Sequence, residues 1–259
     1  MTVVQALRER LPGESIVYFG DTARVPYGSK STETIRRYTR EIVRFLKRHD
    51  IKMLAVACNS CSAAALDCVA AEFDGPVLGV IEPGAAAAAR KSRTGRIGVI
   101  GTQATIGSRA YEKAVLERLP NAEVSGKACP LFVPLAEERM EAHPAAELIA
   151  REYLAPLLER GIDTLILGCT HYPLLRKTIA AVVGPSVALV DSAESTAEAA
   201  EILLGEHDLD RDAGAEAALR FYVSDDPGSL ERFFHRLRPR ERAWVGLAQP
   251  TEASSTVRG

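Results

Sequence analysis

At 259 residues, 47% of them hydrophobic and 25% charged, the chain has the make-up of a globular protein with a sizeable core, arranged as two similar lobes or one large α/β domain. A net charge of −2 offers no basic face for nucleic acid and no acidic solvating block, and no apolar run approaches the ~20 residues that span a membrane. Five cysteines, an odd number, and an N-terminus without the basic-then-apolar layout of a signal peptide point to reduced thiols in the cytoplasm.

In chain order, Met1–Pro12 reads as part of a helix. Ser15–Phe19 is β-branched and aromatic, stops at Gly20, and reads as a strand. From Ser31 to His49, apolar residues at Ile35, Tyr38, Ile42, Phe45 and Leu46 recur at helical spacing beneath an Arg/Lys/Glu face. Met53–Ala57 reads as a buried strand and Ser62–Phe73 as the helix after it. Val77–Ile81, Ile97–Ile100, Leu165–Leu167, Val187–Val190 and Phe221–Val223 are further short apolar runs, and Ala85–Ala89 is a tightly packed helix. Strand, loop and helix repeated in this way predict an α/β protein: two similar lobes, each a mostly parallel sheet flanked by helices, with the active site between them. The polar stretch Arg90–Arg96 reads as one crossing between lobes and Asp191–Ser195 as the return. The first lobe is then 1–91 plus about 192–238 and the second 92–191, while 239–259, rich in Arg, Ser, Thr and Pro without periodicity, is expected to be a disordered tail.

Two segments share one plan. In Leu54–Ser60 (LAVACNS) and Leu165–His171 (LILGCTH), an apolar strand leads through a small residue to a cysteine and then to polar residues. Ligands of parallel α/β sheets sit beyond the carboxyl ends of strands, and both Cys58 and Cys169 fall there. A helix start nearby favours a thiolate, and Asn59, Ser60 and Thr170 offer donors suited to a carboxylate. Two thiols facing one cavity suit inversion at an α-carbon, which needs a base on one face and an acid on the other. Backbone N–H groups would meet the developing enolate charge. No feature calls for pyridoxal phosphate, although a Schiff-base lysine stays open on the residues alone. Cys68 and Cys129 lack this setting and are assigned to packing. Cys58-Asn59-Ser60-Cys61 is also a C-x-x-C, which with Cys169 and His171 could form a zinc site, or alone a redox pair. Against both, Cys61 falls on the first helical turn and points into packing. Against zinc, neither loop has a Gly-rich ribbon setting.

Six stretches in order resemble the glutamate racemase family across almost the whole chain: Tyr18–Ser31 (YFGDTARVPYGSKS), Ala57–Leu66 (ACNSCSAAAL), Ile97–Ile106 (IGVIGTQATI), Cys129–Glu138 (CPLFVPLAEE), Gly168–Leu175 (GCTHYPLL) and Val190–Ser195 (VDSAES). The resemblance implies an isomerase without cofactor or metal that interconverts L- and D-glutamate and supplies D-glutamate for peptidoglycan and cell shape. It implies Cys58 and Cys169 as the acid/base thiols, acting on D- and L-glutamate respectively. His171 would assist Cys169, with either Glu137 or Glu138 linked to it. Tyr27, Gly28, Asn59, Ser60, Thr170 and His171 match substrate-binding positions. Asp21 and Arg24 lie in the family's loop and could simply brace it by an ion pair. A homodimer is implied, with no nucleic-acid or membrane partner. Aspartate-, hydantoin- or maleate-acting relatives are the alternative, as is a non-catalytic binding protein that contacts a partner such as gyrase.

Two departures stand out. Cys61 occupies a position where a small residue is usual. The family also opens with a strand and an Asp-Ser-Gly loop, where this chain begins at Met1. The expectation is that Met1 is internal to a longer protein, and that the 259-residue form is poorly soluble or less active than one carrying that strand.

Overall fold

The computed structural model describes residues 1–238 and 241–250. In chain order the elements are α1 (Thr2–Arg10), β1 (Ile16–Gly20), α2 (Thr32–Leu46), β2 (Leu54–Val56), α3 (Asn59–Glu72), β3 (Val77–Gly79), α4 (Ile81–Lys91), β4 (Arg96–Gly101), α5 (Gln103–Gly107), α6 (Ala110–Arg118), β5 (Glu123–Ala128), α7 (Phe132–Glu137), α8 (Pro144–Glu159), β6 (Thr164–Gly168), α9 (Arg176–Val183), β7 (Ala188–Asp191), α10 (Ser192–Glu206), β8 (Leu219–Val223), α11 (Pro227–Leu237) and β9 (Trp244–Leu247). Every strand pairing among them is parallel, as alternation of strand and helix demands.

One sheet has the order β5-β4-β6-β7. It is covered on both faces, so its central strands are apolar after their first residues, Arg96 and Thr164, and successive residues go to opposite cores. Leu165 and Leu167 pack with α7, α8 and α9, whereas Ile166 packs with α1, α4, α6 and α10. The alanines of α4 let that helix lie close to the sheet: Ala85, Ala87 and Ala88 are all buried. The remaining strands form two separate sheets, β1-β8-β9 and β2-β3. Helices α2 and α3 pack over β2 through Ile35, Val43, Ala65 and Val69. No helix among the described residues is long and apolar enough to cross a membrane.

Three local expectations need correction. The segment 239–259 contains β9, which pairs with β8 from Arg220–Trp244 to Val223–Leu247; residues 239–240 and 251–259 lie outside the described ones. The run Val77–Ile81 is strand only to Gly79, and Ile81 already opens α4. Helix α3 starts at Asn59, directly after the first thiol, rather than at Ser62.

Asp163 ties the loop before β4 to β6. Its carboxylate accepts the N–H groups of Arg93 and Thr94, both at 2.7 Å, and the hydroxyls of Ser92, Thr94 and Thr164 at 2.7, 2.9 and 2.9 Å. Burial alone would raise its pKa, but the hydroxyl and backbone donors prevail and hold it well below the usual carboxylate range. Asp163→Ala is expected to lower the unfolding free energy by about 1–3 kcal/mol, because it leaves these donors unmatched. A depressed folded-state pKa contributes stability that is present above the unfolded value of about 3.9 and lost as pH falls through the folded one. The gap between parent and variant in urea titrations should therefore be full at neutral pH and shrink below about pH 4.

Candidate active site

Strand β2 ends at Val56, and two residues later Cys58 stands as the N-cap of α3, with extended backbone (φ −78°, ψ 123°). A helix's first N–H groups lack intrahelical acceptors. Here those of Ser60 and Cys61, with the Cys61 thiol, lie near the Cys58 sulfur and favour its charged form, although the sulfur closes no capping hydrogen bond. The Cys61 thiol is the largest influence. With the backbone donors and the nearby His171 it outweighs burial and brings the Cys58 pKa down to about 7. Cys61 is pushed the other way, well above the ordinary thiol value, by donating to Cys58 and by its own burial. Packing is thus only half of its role: it sits in the core under α2 and also holds the Cys58 thiolate.

The second thiol is built differently. Strand β6 ends at Gly168, and Cys169 is followed by a 3₁₀ turn, Tyr172–Leu175, before α9 begins. The segment that follows this sulfur is therefore a 3₁₀ turn and not the start of an α-helix, contrary to the symmetric expectation. An imidazole adjoins the sulfur: Cys169 Sγ lies 3.8 Å from His171 Nδ1, and His171 Nε2 lies 3.3 Å from Glu137 Oε1. Burial would lower the His171 pKa, yet Cys169 and Glu137 together raise it to about 9. Glu137 is correspondingly lowered, chiefly by its hydrogen bond to His171. Of the two glutamates left open by sequence, Glu137 makes this contact; Glu138 is exposed and caps the end of α7.

The loop of the first thiol is held against α5 and α6. Asn59 is buried, and its Oδ1 accepts from the Tyr111 hydroxyl of α6 at 2.7 Å. Ser60 Oγ lies 2.9 Å from Thr102 Oγ1 and 3.4 Å from Thr105 Oγ1 at the start of α5. Gly28 packs against the same threonine so closely that a Cβ there would fall 2.5 Å from Thr102 Cβ. Tyr27 is buried and spends its hydroxyl proton on Asp21. Asp21 also accepts from Ser224 at 2.8 Å and from Arg24 at 2.7 Å, so Asp21 and Arg24 do brace the loop that carries Tyr27 and Gly28. The carbonyl of Thr170 accepts from Thr2 Oγ1 at 3.0 Å, which anchors the second thiol loop to α1.

All five cysteines are free thiols; Cys68 is buried beside Arg40, and Cys129 is buried in the same core cluster as Cys169. The zinc reading gains no geometric support: among the described residues no three His, Cys, Asp or Glu side chains converge to hold a metal. Thr102, Thr105 and Tyr111 escaped the sequence reading. The first two lie inside Ile97–Ile106, a stretch quoted for its resemblance without roles for its residues. Tyr111 carries no motif of its own in the sequence, and its long-range hydrogen bond to Asn59 is what sets it apart.

Comparison with known proteins places the chain in a family. A family model described as Asp/Glu/Hydantoin racemase matches residues 1–200. Glutamate racemase of Chlorobaculum tepidum is 52% identical over 90% of this chain and 86% of its own length. That of Geobacter metallireducens is 52% identical over 91% of this chain and 87% of its own. Among solved structures, glutamate racemase isoform RacE1 from Bacillus anthracis superposes with a TM-score of 0.93 at 38% identity, covering 97% of this chain and 94% of that one. Glutamate racemase from Francisella tularensis, solved in complex with D-glutamate, gives 0.88 at 35% identity, covering 96% and 93%. With a family model matched over most of its length and relatives at half identity, the chain belongs to the Asp/Glu/hydantoin racemase family of isomerases.

Proposed function

We propose that the protein interconverts L- and D-glutamate through the thiol pair Cys58 and Cys169, without a cofactor, and that it does so in the cytoplasm as a homodimer to supply D-glutamate for peptidoglycan. The observation that carries this reading is that each thiol follows the carboxyl end of a parallel strand and has its own polar partner beside it. For Cys58 it is the start of α3 with Cys61; for Cys169 it is the His171–Glu137 pair.

With Cys58 as thiolate and Cys169 as thiol, D-glutamate binds between them. Cys58 takes the α-proton, charge moves into the carboxylate as an enolate, and Cys169 returns a proton to the opposite face. The product is L-glutamate, and the enzyme is left as Cys58 thiol and Cys169 thiolate, ready to run the reaction in reverse. His171, held protonated by Glu137, steadies the Cys169 thiolate. Asn59, Ser60, Thr170 and the backbone N–H groups of the two loops are the donors placed for the carboxylate, with Tyr27 and Gly28 lining the adjoining loop. Glutamate is favoured as substrate because the relatives at half identity are glutamate racemases.

The test is incubation with L-glutamate in D2O, following the α-proton signal and optical rotation together, with L-aspartate in parallel. Both signals should decay with glutamate and far more slowly with aspartate. Failure to exchange either amino acid would overturn the catalytic reading, and faster exchange of aspartate would overturn the substrate.

A further inference from the structure

The side chain of Asn59 raises a question the two-thiol chemistry leaves unanswered. It is 2% exposed, and its Nδ2 group has no hydrogen-bond partner within the protein. A buried amide with an unmatched N–H group is costly unless a ligand supplies the acceptor. What keeps that group available is the other end of the amide, where Oδ1 is engaged by the Tyr111 hydroxyl at 2.7 Å.

Tyr111 is itself closely held. It is 2% exposed on α6, and two glycines flank its ring: a Cβ on Gly84 would come within 3.1 Å of Cε1, and one on Gly168 within 3.0 Å of Cε2. Neither side can take a larger residue without shifting the ring. The Ser192 side chain of α10 lies near the phenol, its hydroxyl donating to the Leu167 carbonyl at 3.4 Å. Burial, with Cys169 and Asp191 nearby, pushes the phenol above its ordinary range, so it stays protonated and remains a donor. One ring therefore contacts α4, the end of β6, α10 and the amide that follows Cys58.

We infer that Tyr111 is a positioning residue for the reaction proposed above: its hydroxyl fixes the Asn59 amide with Oδ1 turned toward α6 and the N–H2 group turned into the site, as a donor to the amino-acid carboxylate. The inference rests on the glutamate racemase reading for the identity of that carboxylate. Without the hydroxyl the amide can flip, and it then presents an oxygen to the anion in place of two N–H groups. Tyr111 also lies close to Cys169, so one side chain couples the donor of the first half-site to the thiol of the second.

The experiment compares the full-length parent with Tyr111→Phe, Asn59→Ala and the double variant, with urea unfolding to confirm that each is folded. Tyr111→Phe keeps the ring between its glycines and removes only the hydroxyl. The expected result is KM for glutamate raised about tenfold with kcat within about threefold, the signature of a lost binding contact. The double variant should match Asn59→Ala alone, because Tyr111 acts through that amide. An unchanged KM in Tyr111→Phe, or losses that multiply in the double variant, would overturn the inference. Calorimetric binding of D-glutamate separates it from the underlying reading. A parent that binds glutamate without inverting it, with binding about tenfold weaker in Tyr111→Phe, sinks the racemase reading and leaves the role of Tyr111 standing. A parent that racemises while Tyr111→Phe matches it in KM and binding does the reverse.

Discussion

Cys169→Ser and Cys58→Ser are each expected to lower glutamate racemisation by about 10²- to 10⁴-fold, the span associated with removing a positioned acid or base. Serine is nearly isosteric, so the loops should keep their geometry, but a hydroxyl is a far weaker acid than a thiol. The donors at the start of α3 bring a sulfur to about 7 and have no comparable means of ionising an alcohol. Nor can His171 hold an alkoxide as it holds the Cys169 sulfur at 3.8 Å. Each proton transfer needs its own group, so either loss alone should stop inversion and the double variant should be little worse than either single one. Polarimetry with each enantiomer as starting material reads this directly. Inversion within about tenfold of the parent in either variant would mean that the thiols are not the acid/base pair.

Cys61→Ala should produce the next largest change, and in a pH-dependent way. The Cys61 thiol is the foremost influence holding Cys58 at about 7. Without it the backbone donors and the nearby His171 are left to oppose burial, and the pKa should climb toward the ordinary thiol value of about 8.5. At pH 7 the thiolate fraction would fall from about one half to about one in thirty. The sign is fixed by the chemistry: a raised thiol pKa removes base at neutral pH and returns it in alkali. Activity should therefore drop by roughly tenfold or more at pH 7 and recover by about pH 9, with the acid limb of kcat/KM displaced upward. Because the two thiols titrate as a pair, that limb belongs to the pair. The rate of iodoacetamide alkylation of Cys58 in a Cys169→Ser background isolates the single site. An alkylation midpoint that stays near 7 in the Cys61→Ala chain would show that the helix start suffices.

Much of the fold was legible because strands buried on both faces are written as apolar runs. Thr164–Gly168 and Arg96–Gly101 lie inside a sheet covered by helices, and their sequences announce it. The strands that escaped are at edges. Glu123–Ala128 (EVSGKA) and Trp244–Leu247 (WVGL) pair on one side only and are partly exposed, so neither needed a long apolar run. The same reasoning covers the site. Cys58, Cys169, Asn59, Ser60, Thr170 and His171 sit on two short segments whose plan is visible by eye, and their closeness within each loop is a matter of local chain geometry.

What sequence alone determined is the pair of thiols at the ends of parallel strands, together with the family those motifs resemble. Both follow from local pattern, which the chain carries without folding. Tertiary structure decided how unlike the two thiols are. Cys58 gains the first turn of α3 and the Cys61 thiol, whereas Cys169 has a 3₁₀ turn after it and depends on His171. It also chose Glu137 over its neighbour and joined Asn59 to Tyr111. Each of those last two is a contact between residues far apart in the chain. Its existence depends on which helix faces which loop once the sheets are covered, and local spacing carries no record of that.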